Sequence, residues 1–358
     1  MANAEPVRIG LIQDWAIGTQ TTRDFYDALA LGFDEALRTG VIDRPVRTVL
    51  REQPAYPLGP DEAVVDAWED LVRNEGVIGV IGPQVTQANV LLRDRVNASG
   101  IPMLAYCGTE EFHGPACFLM PNGYFPDEVR LPLAYMLRRG HRSVGVIWDD
   151  NHQGHEYMRY LRPAARRMGM EIRIDEMSFH DLPPEGVRPH LERIRAAGPD
   201  ALLYLGNANL MKGIVPALRA MHWAPPRYMA VAFIIANFFG AQGLDLCEGW
   251  TGIDQYHEGN PELQRLLALF ERRHGRRPMH MYTAMGWDMA RTIAEAIHFA
   301  PSPDADGLRR GLENVRRLPA AIGAPGTTIG FARWDHRGFK GEYLVMRTVR
   351  DGINVLAD

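Results

Sequence analysis

The sequence predicts an α/β protein made of two doubly wound parallel-sheet lobes. Three observations lead there. Short, almost wholly apolar runs alternate with segments whose apolar residues recur at helical spacing. The apolar runs lack the in–out alternation of a half-solvated antiparallel sheet, so both faces of each sheet must be covered. The strand–helix pattern then restarts near Gly140, about 130 residues after the first strand begins, which is the size of one domain.

Each element has its own signal. Residues 7–12 (VRIGLI) read as a buried strand, and 23–37 as an amphipathic helix. Residues 46–50 are strand-like, and 60–72 form a helix opened by Pro-Asp-Glu. The run 77–81 is a strand, 86–98 a helix and 101–105 the next strand. After GHRS (140–143), residues 144–148 (VGVIW) begin the second unit, followed by a helix over 154–168 and a strand over 171–177. A helix at 187–197, a strand at 201–205, a helix at 210–221 and a strand at 228–233 complete it. The units are therefore about 1–124 and 125–252, joined by a short link with no Ser/Gly-rich or charged spacer. The remainder starts no third unit. Helices at 261–274 and 282–298 and a strand at 342–349 suit pieces added back to the two existing sheets.

Composition excludes several classes. The chain has 358 residues, 46% hydrophobic and 23% charged, which is too apolar and too weakly charged for intrinsic disorder. A formal net charge of −5 argues against a general nucleic-acid binder, which needs basic excess to displace counterions. The longest apolar run, 229–240 (MAVAFIIANFFG), is too short to span a bilayer. The opening MANAEPVRIG has no basic n-region or apolar h-region, so the protein is either cytosolic or has lost a leader before this numbering begins. Three cysteines exclude a disulfide scaffold. Cys107 and Cys117 suit either a small closed loop in an oxidising compartment or two buried thiols.

Candidate chemistry gathers at the carboxyl ends of strands, where open α/β sheets take ligands. In GPQVTQAN (82–89) the helix-start amides and dipole favour an anion or a carbonyl oxygen, with Thr86 suited to the N-cap or to a ligand. The phosphate loop and the dinucleotide loop are both missing from it. YCGT (106–109) ends the next strand at the same edge, and Glu110 and Glu111 after it read as solvated surface. WDDNHQG (148–154) sits at the matching edge of the second unit. There His152 and His155 make a poor metal pair without a third ligand, and Asp149 and Asp150 read as turn and cap residues rather than an acid/base pair. No G-x-S-x-G occurs, and Cys107 has no identifiable histidine partner. The aromatic stretch 233–239 suits either a pocket wall or a core segment.

The chain resembles the type I periplasmic solute-binding proteins of ABC importers, in the branch named for leucine, isoleucine and valine. The matching stretches run along almost the whole sequence: 7–12 with GFDEA (32–36), VIGP (80–83), GIP (100–102), GHRSVGVIWD (140–149) with Gly154, EG (248–249), FERRHGRRP (270–278), GWDMA (286–290) and FARWD (331–335). The resemblance implies two lobes joined by three crossovers, 1–124 plus 254–332 and 125–253 plus 333–358, closing on a ligand. It places ligand-lining positions at Trp15, Phe25, Thr86, Cys107, Thr109 and Tyr282 on one lobe, and at Gln153, Asn207, Ala208 and Phe233 on the other.

Two departures from the family pattern matter. The aromatic lid positions fall on Gln153 and Ala208, which are not aromatic. At 230–234 the amino-acid binders carry an acid for the ammonium, whereas this chain reads AVAFI. A buried ammonium without a partner costs several kcal/mol. The expected function is capture of a small apolar or aromatic solute bearing a carboxylate or amide oxygen, not an ordinary α-amino acid, for delivery to ABC permease subunits. No catalysis, cofactor, metal or nucleic acid is expected, and the protein is read as a periplasmic monomer. The alternative is a cytosolic ligand sensor of the same fold that regulates an operon.

Overall fold

The computed structural model describes residues 5–15, 20–56, 62–179, 181–236, 241–278 and 280–358, with nothing stated of the side chains of 15, 54–56, 235 and 236. The chain divides into two compact units, Met1–Asn122 with Gln255–Tyr343 and Gly123–Asp254 with Leu344–Asp358.

The first unit begins with β1 (Val7–Trp15), α1 (Gln20–Arg38), β2 (Val46–Tyr56), α2 (Ala63–Asn74), β3 (Gly79–Ile81), α3 (Thr86–Ser99), β4 (Met103–Ala105) and β5 (Cys117–Leu119). Its sheet has the order β2-β1-β3-β4-β5, all parallel. Reversal of direction beside β1 puts a topological switch point between β1 and β3, where doubly wound sheets bind ligands. Strands β3 and β4 are buried at every residue, as a sheet covered on both faces requires.

The second unit takes α4 (Phe125–Arg138), β6 (Ser143–Asp149), α5 (His152–Met168), β7 (Glu171–Ser178), α6 (Pro184–Ala197), β8 (Ala201–Leu205), α7 (Met211–Ala220), β9 (Arg227–Met229), α8 (Ala232–Ala236), α9 (Ala241–Cys247) and β10 (Thr251–Asp254). The chain then returns to the first unit as α10 (Pro261–His274), α11 (Met281–Phe299), α12 (Ala305–Leu312), β11 (Leu318–Pro319), β12 (Thr328–Ile329) and β13 (Phe339–Lys340). It ends in the second unit with β14 (Val345–Arg350) and β15 (Ile353–Leu356). The second sheet runs β15-β14-β10-β9-β8-β6-β7; β6 to β10 are parallel, and β14 and β15 add antiparallel.

Local chemistry accounts for the helix ends. The Asn151 side chain caps α5 by accepting the Gly154 N–H at 2.9 Å, and Asn260 caps α10 with Pro261 at its first position. Helix α11 is buried on almost every side, so its two Trp/Met-rich turns behave as core rather than as an amphipathic surface.

The structure departs from the sequence expectation in four places. Residues 228–233 are not one strand: β9 stops at Met229, and 232–236 turn as a short helix. An apolar run of this length fits a buried strand or a buried helix equally well. Strand β5 extends the first sheet where the sequence reading places no strand. Residues 333–343 belong to the first unit, where β13 pairs with β12 and Gly338 donates to the Leu119 carbonyl at 2.7 Å. The second sheet is also not purely parallel, since the returning tail adds to it as an antiparallel edge. No helix among the described residues is long and apolar enough to cross a membrane.

Candidate functional site

In the first unit the carboxyl edge is organised by Asp14 at the end of β1. Its carboxylate is fully buried and accepts the Gln84 N–H on Oδ1 and the Val85 N–H on Oδ2, both at 2.8 Å. The protein thus uses two of the amides in this segment itself, both of them ahead of the first turn of α3. The N-cap of α3 is Val85, not Thr86, and makes no side-chain cap bond; Thr86 is the first helical residue. Asp14 serves the two amides just ahead of the helix, not the N2 and N3 amides that a cap side chain would take. The turn depends on Gly82, at φ 82°, where an added Cβ would lie 2.3 Å from the Ile12 carbonyl oxygen.

Around this loop the unit collects side chains from distant segments. The Gln84 Nε2 donates to the Tyr282 hydroxyl at 2.6 Å, and the Asn122 Nδ2 donates to the same oxygen at 3.1 Å. The Gln84 Oε1 is buried and meets no hydrogen-bond partner among the described residues. Asn89, inside α3, donates to the Pro83 and Val85 carbonyls and locks the turn. Thr109 is buried, and its Oγ1 accepts the Glu111 N–H at 3.1 Å, leaving its own proton to donate. Cys107 and Thr86 are buried at this edge, and Phe25 is buried with its ring stacked on Tyr106 at 5.8 Å. Trp15 ends β1, and its side chain lies outside the described residues.

In the second unit the corresponding edge is held by two acids. Asp149, at the end of β6, accepts from the Tyr204 hydroxyl at 3.0 Å and from the Asn207 N–H at 3.0 Å. That bond ties the β8 loop to β6, a structural duty; the cap of α5 falls to Asn151. His155 turns to Asp150 at 3.0 Å and His152 to Glu156 at 3.6 Å, so the two histidines serve different carboxylates. Ala208 is buried and holds φ 74°, a left-handed conformation that costs a non-glycine residue about 1–2 kcal/mol. Asn207 and Gln153 are half-buried. Phe233 is fully buried against Gly252 of β10, where an added Cβ would stand 2.4 Å from the Phe233 Cβ and 2.6 Å from its ring.

Glu128 is the second acid, and it was missed in the sequence. It lies in the first turn of α4, fully buried, and its Oε2 accepts both the Tyr157 O–H and the Val231 N–H, the latter at 3.2 Å. Burial is the largest influence on it and raises its carboxyl from 4.5 to about 7, against the lowering effect of its two donors. Burial and the neighbouring carboxylate together push the Tyr157 hydroxyl well above its ordinary value. Tyr157 in turn accepts the Gln153 Nε2 at 3.0 Å. Gly123 makes room for the acid, since a Cβ there would stand 2.5 Å from the Glu128 Cγ and Oε1. The signal available in the sequence was position: Glu128 falls on the stripe formed by Phe125, Val129, Pro132, Leu133 and Met136.

No curated protein matches the sequence significantly. Solved structures do match in fold. A substrate-binding protein of an ABC transporter from Desulfitobacterium hafniense aligns at TM-score 0.81 and 19% identity, over 99% of this chain and 100% of that one. The branched-chain amino acid transporter substrate-binding protein of Streptococcus pneumoniae, in complex with isoleucine, aligns at 0.82 and 15%, over 99% of both chains. A leucine-binding protein from Thermotoga maritima aligns at 0.80 and 15%, over 98% of both. The family model described as periplasmic binding protein matches residues 6–352. With that match over nearly its whole length, the chain belongs to the periplasmic binding protein family and has the type I fold of the leucine/isoleucine/valine-binding proteins.

Proposed function

We propose that the chain is the solute-binding subunit of an ABC importer, working in the periplasm, and that it takes a small apolar or aromatic solute with an amide or carboxyl oxygen rather than an ordinary α-amino acid. The observation that carries the ligand class is the stretch 230–234. It is buried and wholly apolar, Ala-Val-Ala-Phe-Ile, at the carboxyl edge of β9. The acid that does reach this stretch is Glu128, which is sealed from solvent, bound to Tyr157 and Val231, and carries no full charge at neutral pH. An ammonium placed there would lose its hydration without gaining a committed anion, a cost of several kcal/mol. The hydroxyl proton of Thr109 and the first-turn amides of α3 supply donors for a solute oxygen in the first unit.

A thermal-shift screen against α-amino acids, aromatic acids, apolar acids and short amides tests this reading. A solute present at about a hundred times its Kd adds about 2.7 kcal/mol to folding stability and raises Tm measurably. Hits confined to acids and amides support the reading. Micromolar binding of leucine by calorimetry overturns it.

A further inference from the structure

We propose that the protein distinguishes a neutral carboxamide from the matching carboxylate, because each unit fixes a glutamine at its carboxyl edge, Gln84 in the first and Gln153 in the second, with the side-chain carbonyl left to accept from a solute N–H. This rests on the reading of the chain as a solute-binding protein and narrows the solute it takes.

The orientation of Gln153 follows from counting protons. A tyrosine hydroxyl has one proton to give. In Tyr157 that proton goes to Glu128 Oε2, which also takes the Val231 N–H; with two donors already on Oε2, the carboxyl's own proton, when present, belongs on Oε1. The Tyr157 oxygen can then only accept from Gln153, so the glutamine turns its NH2 inward to the tyrosine. Its carbonyl oxygen is the end left over, on a half-buried residue in the first turn of α5, at the carboxyl end of β6. Gln153 is the group that would touch solute, whereas Tyr157 and Glu128 are positioning residues.

Gln84 carries the second, independent observation. Its Nε2 is likewise spent on a tyrosine hydroxyl, Tyr282, whose oxygen also takes Asn122. Its backbone is pinned by Asp14, and its Oε1 is buried without a hydrogen-bond partner among the described residues. A buried acceptor left unsatisfied costs about 1–3 kcal/mol, and a solute N–H removes that cost. A carboxylate has no N–H to offer and sets its own oxygens against these acceptors. Sites built to hydrogen-bond a particular group reject the analogue lacking it more strongly than apolar pockets reject a change of size.

The test uses the full chain and three matched probe pairs: benzamide and benzoate, phenylacetamide and phenylacetate, isobutyramide and isobutyrate. Calorimetry is expected to show at least one amide binding tenfold or more tighter than its acid. Tyr157→Phe, which frees the Gln153 amide to flip, is expected to reduce that preference several-fold. A readout that needs no solute accompanies it. In protein labelled with 15N-glutamine, the Gln153 side-chain signal, assigned by its loss in Gln153→Met, is expected to shift in Tyr157→Phe and in Glu128→Gln. An unmoved signal overturns the relay from Glu128 to Gln153. Tighter binding of the acids, or binding of none of the pairs, overturns the amide preference. If leucine binds and no pair does, the reading of a solute other than an amino acid fails as well, while the Gln153 signal still decides on the relay.

Discussion

The two sheet edges solve the same problem with opposite resources. In the first unit a carboxylate on a strand end, Asp14, grips two backbone amides and so freezes the loop that opens α3. In the second unit a carboxyl on a helix, Glu128, grips a side chain and one amide, and its influence passes through Tyr157 to Gln153. The first edge is backbone held by a charge. The second is a side-chain relay anchored on a group that burial tends to neutralise. An edge of the first kind tolerates changes among its side chains but not loss of the anion. An edge of the second kind depends on each member, and its anchor responds to pH.

Removing the anion from the first edge carries the largest expected effect. Asp14→Ala leaves the Gln84 and Val85 amides without their charged acceptor, and bonds of that kind are worth about 1.5–3 kcal/mol each. Urea unfolding is expected to show a loss of about 3 kcal/mol or more; a loss under about 1 kcal/mol breaks the contrast between the edges.

The second edge is expected to show itself in pH. The folded-state value of Glu128 lies above its ordinary 4.5, at about 7, so the protonated form is the one the fold favours. Its stabilising contribution is therefore complete below pH 4.5 and is lost as pH rises to about 7, by on the order of 3 kcal/mol. Stability profiles of the protein and of Glu128→Gln between pH 4 and about 8 are expected to diverge by that amount, the glutamine variant lacking the decline. Parallel profiles would mean that the second anchor is an ordinary ion and that the two edges are alike.

The smallest effect has the opposite sign. Ala208 holds its left-handed conformation beside Asn207, so Ala208→Gly is expected to stabilise by up to about 1 kcal/mol in the same assay. A destabilised variant would show that the alanine methyl, fully buried, is worth more to the second edge than its strain costs.

Much of this was legible beforehand. The near-continuous apolar strands β1, β3, β6 and β8 and the restart at Gly140 specify two doubly wound units, because only a sheet covered on both faces reads that way. The loop at 82–86 and the segment 148–154 were located for the same reason: both follow such a strand and open a helix. What stayed hidden depends on contacts across long sequence separations. Nothing in the segment around Thr86 reveals that Asp14, seventy residues earlier, takes the Gln84 amide. Glu128 reads as one more acid in a helix's first turn, where solvated acids are common; only its place on the apolar stripe of α4 marks it. The residues 228–233 misled because apolarity on all sides does not separate strand from helix.

All three cysteines are buried thiols, and burial pushes the Cys117 thiol up to about 12 and raises Cys247 as well. Only a thiolate reacts at a useful rate. An alkylating reagent must therefore wait for the surrounding structure to open. Cys117 lies on β5 in the first unit, and Cys247 ends α9 in the second. The chain thus carries a chemical clock in each unit, with Cys107 a second buried thiol in the first. Labelling rates at the two positions would time the transient opening of each half separately, and slowing of either by a solute would show which half that solute steadies.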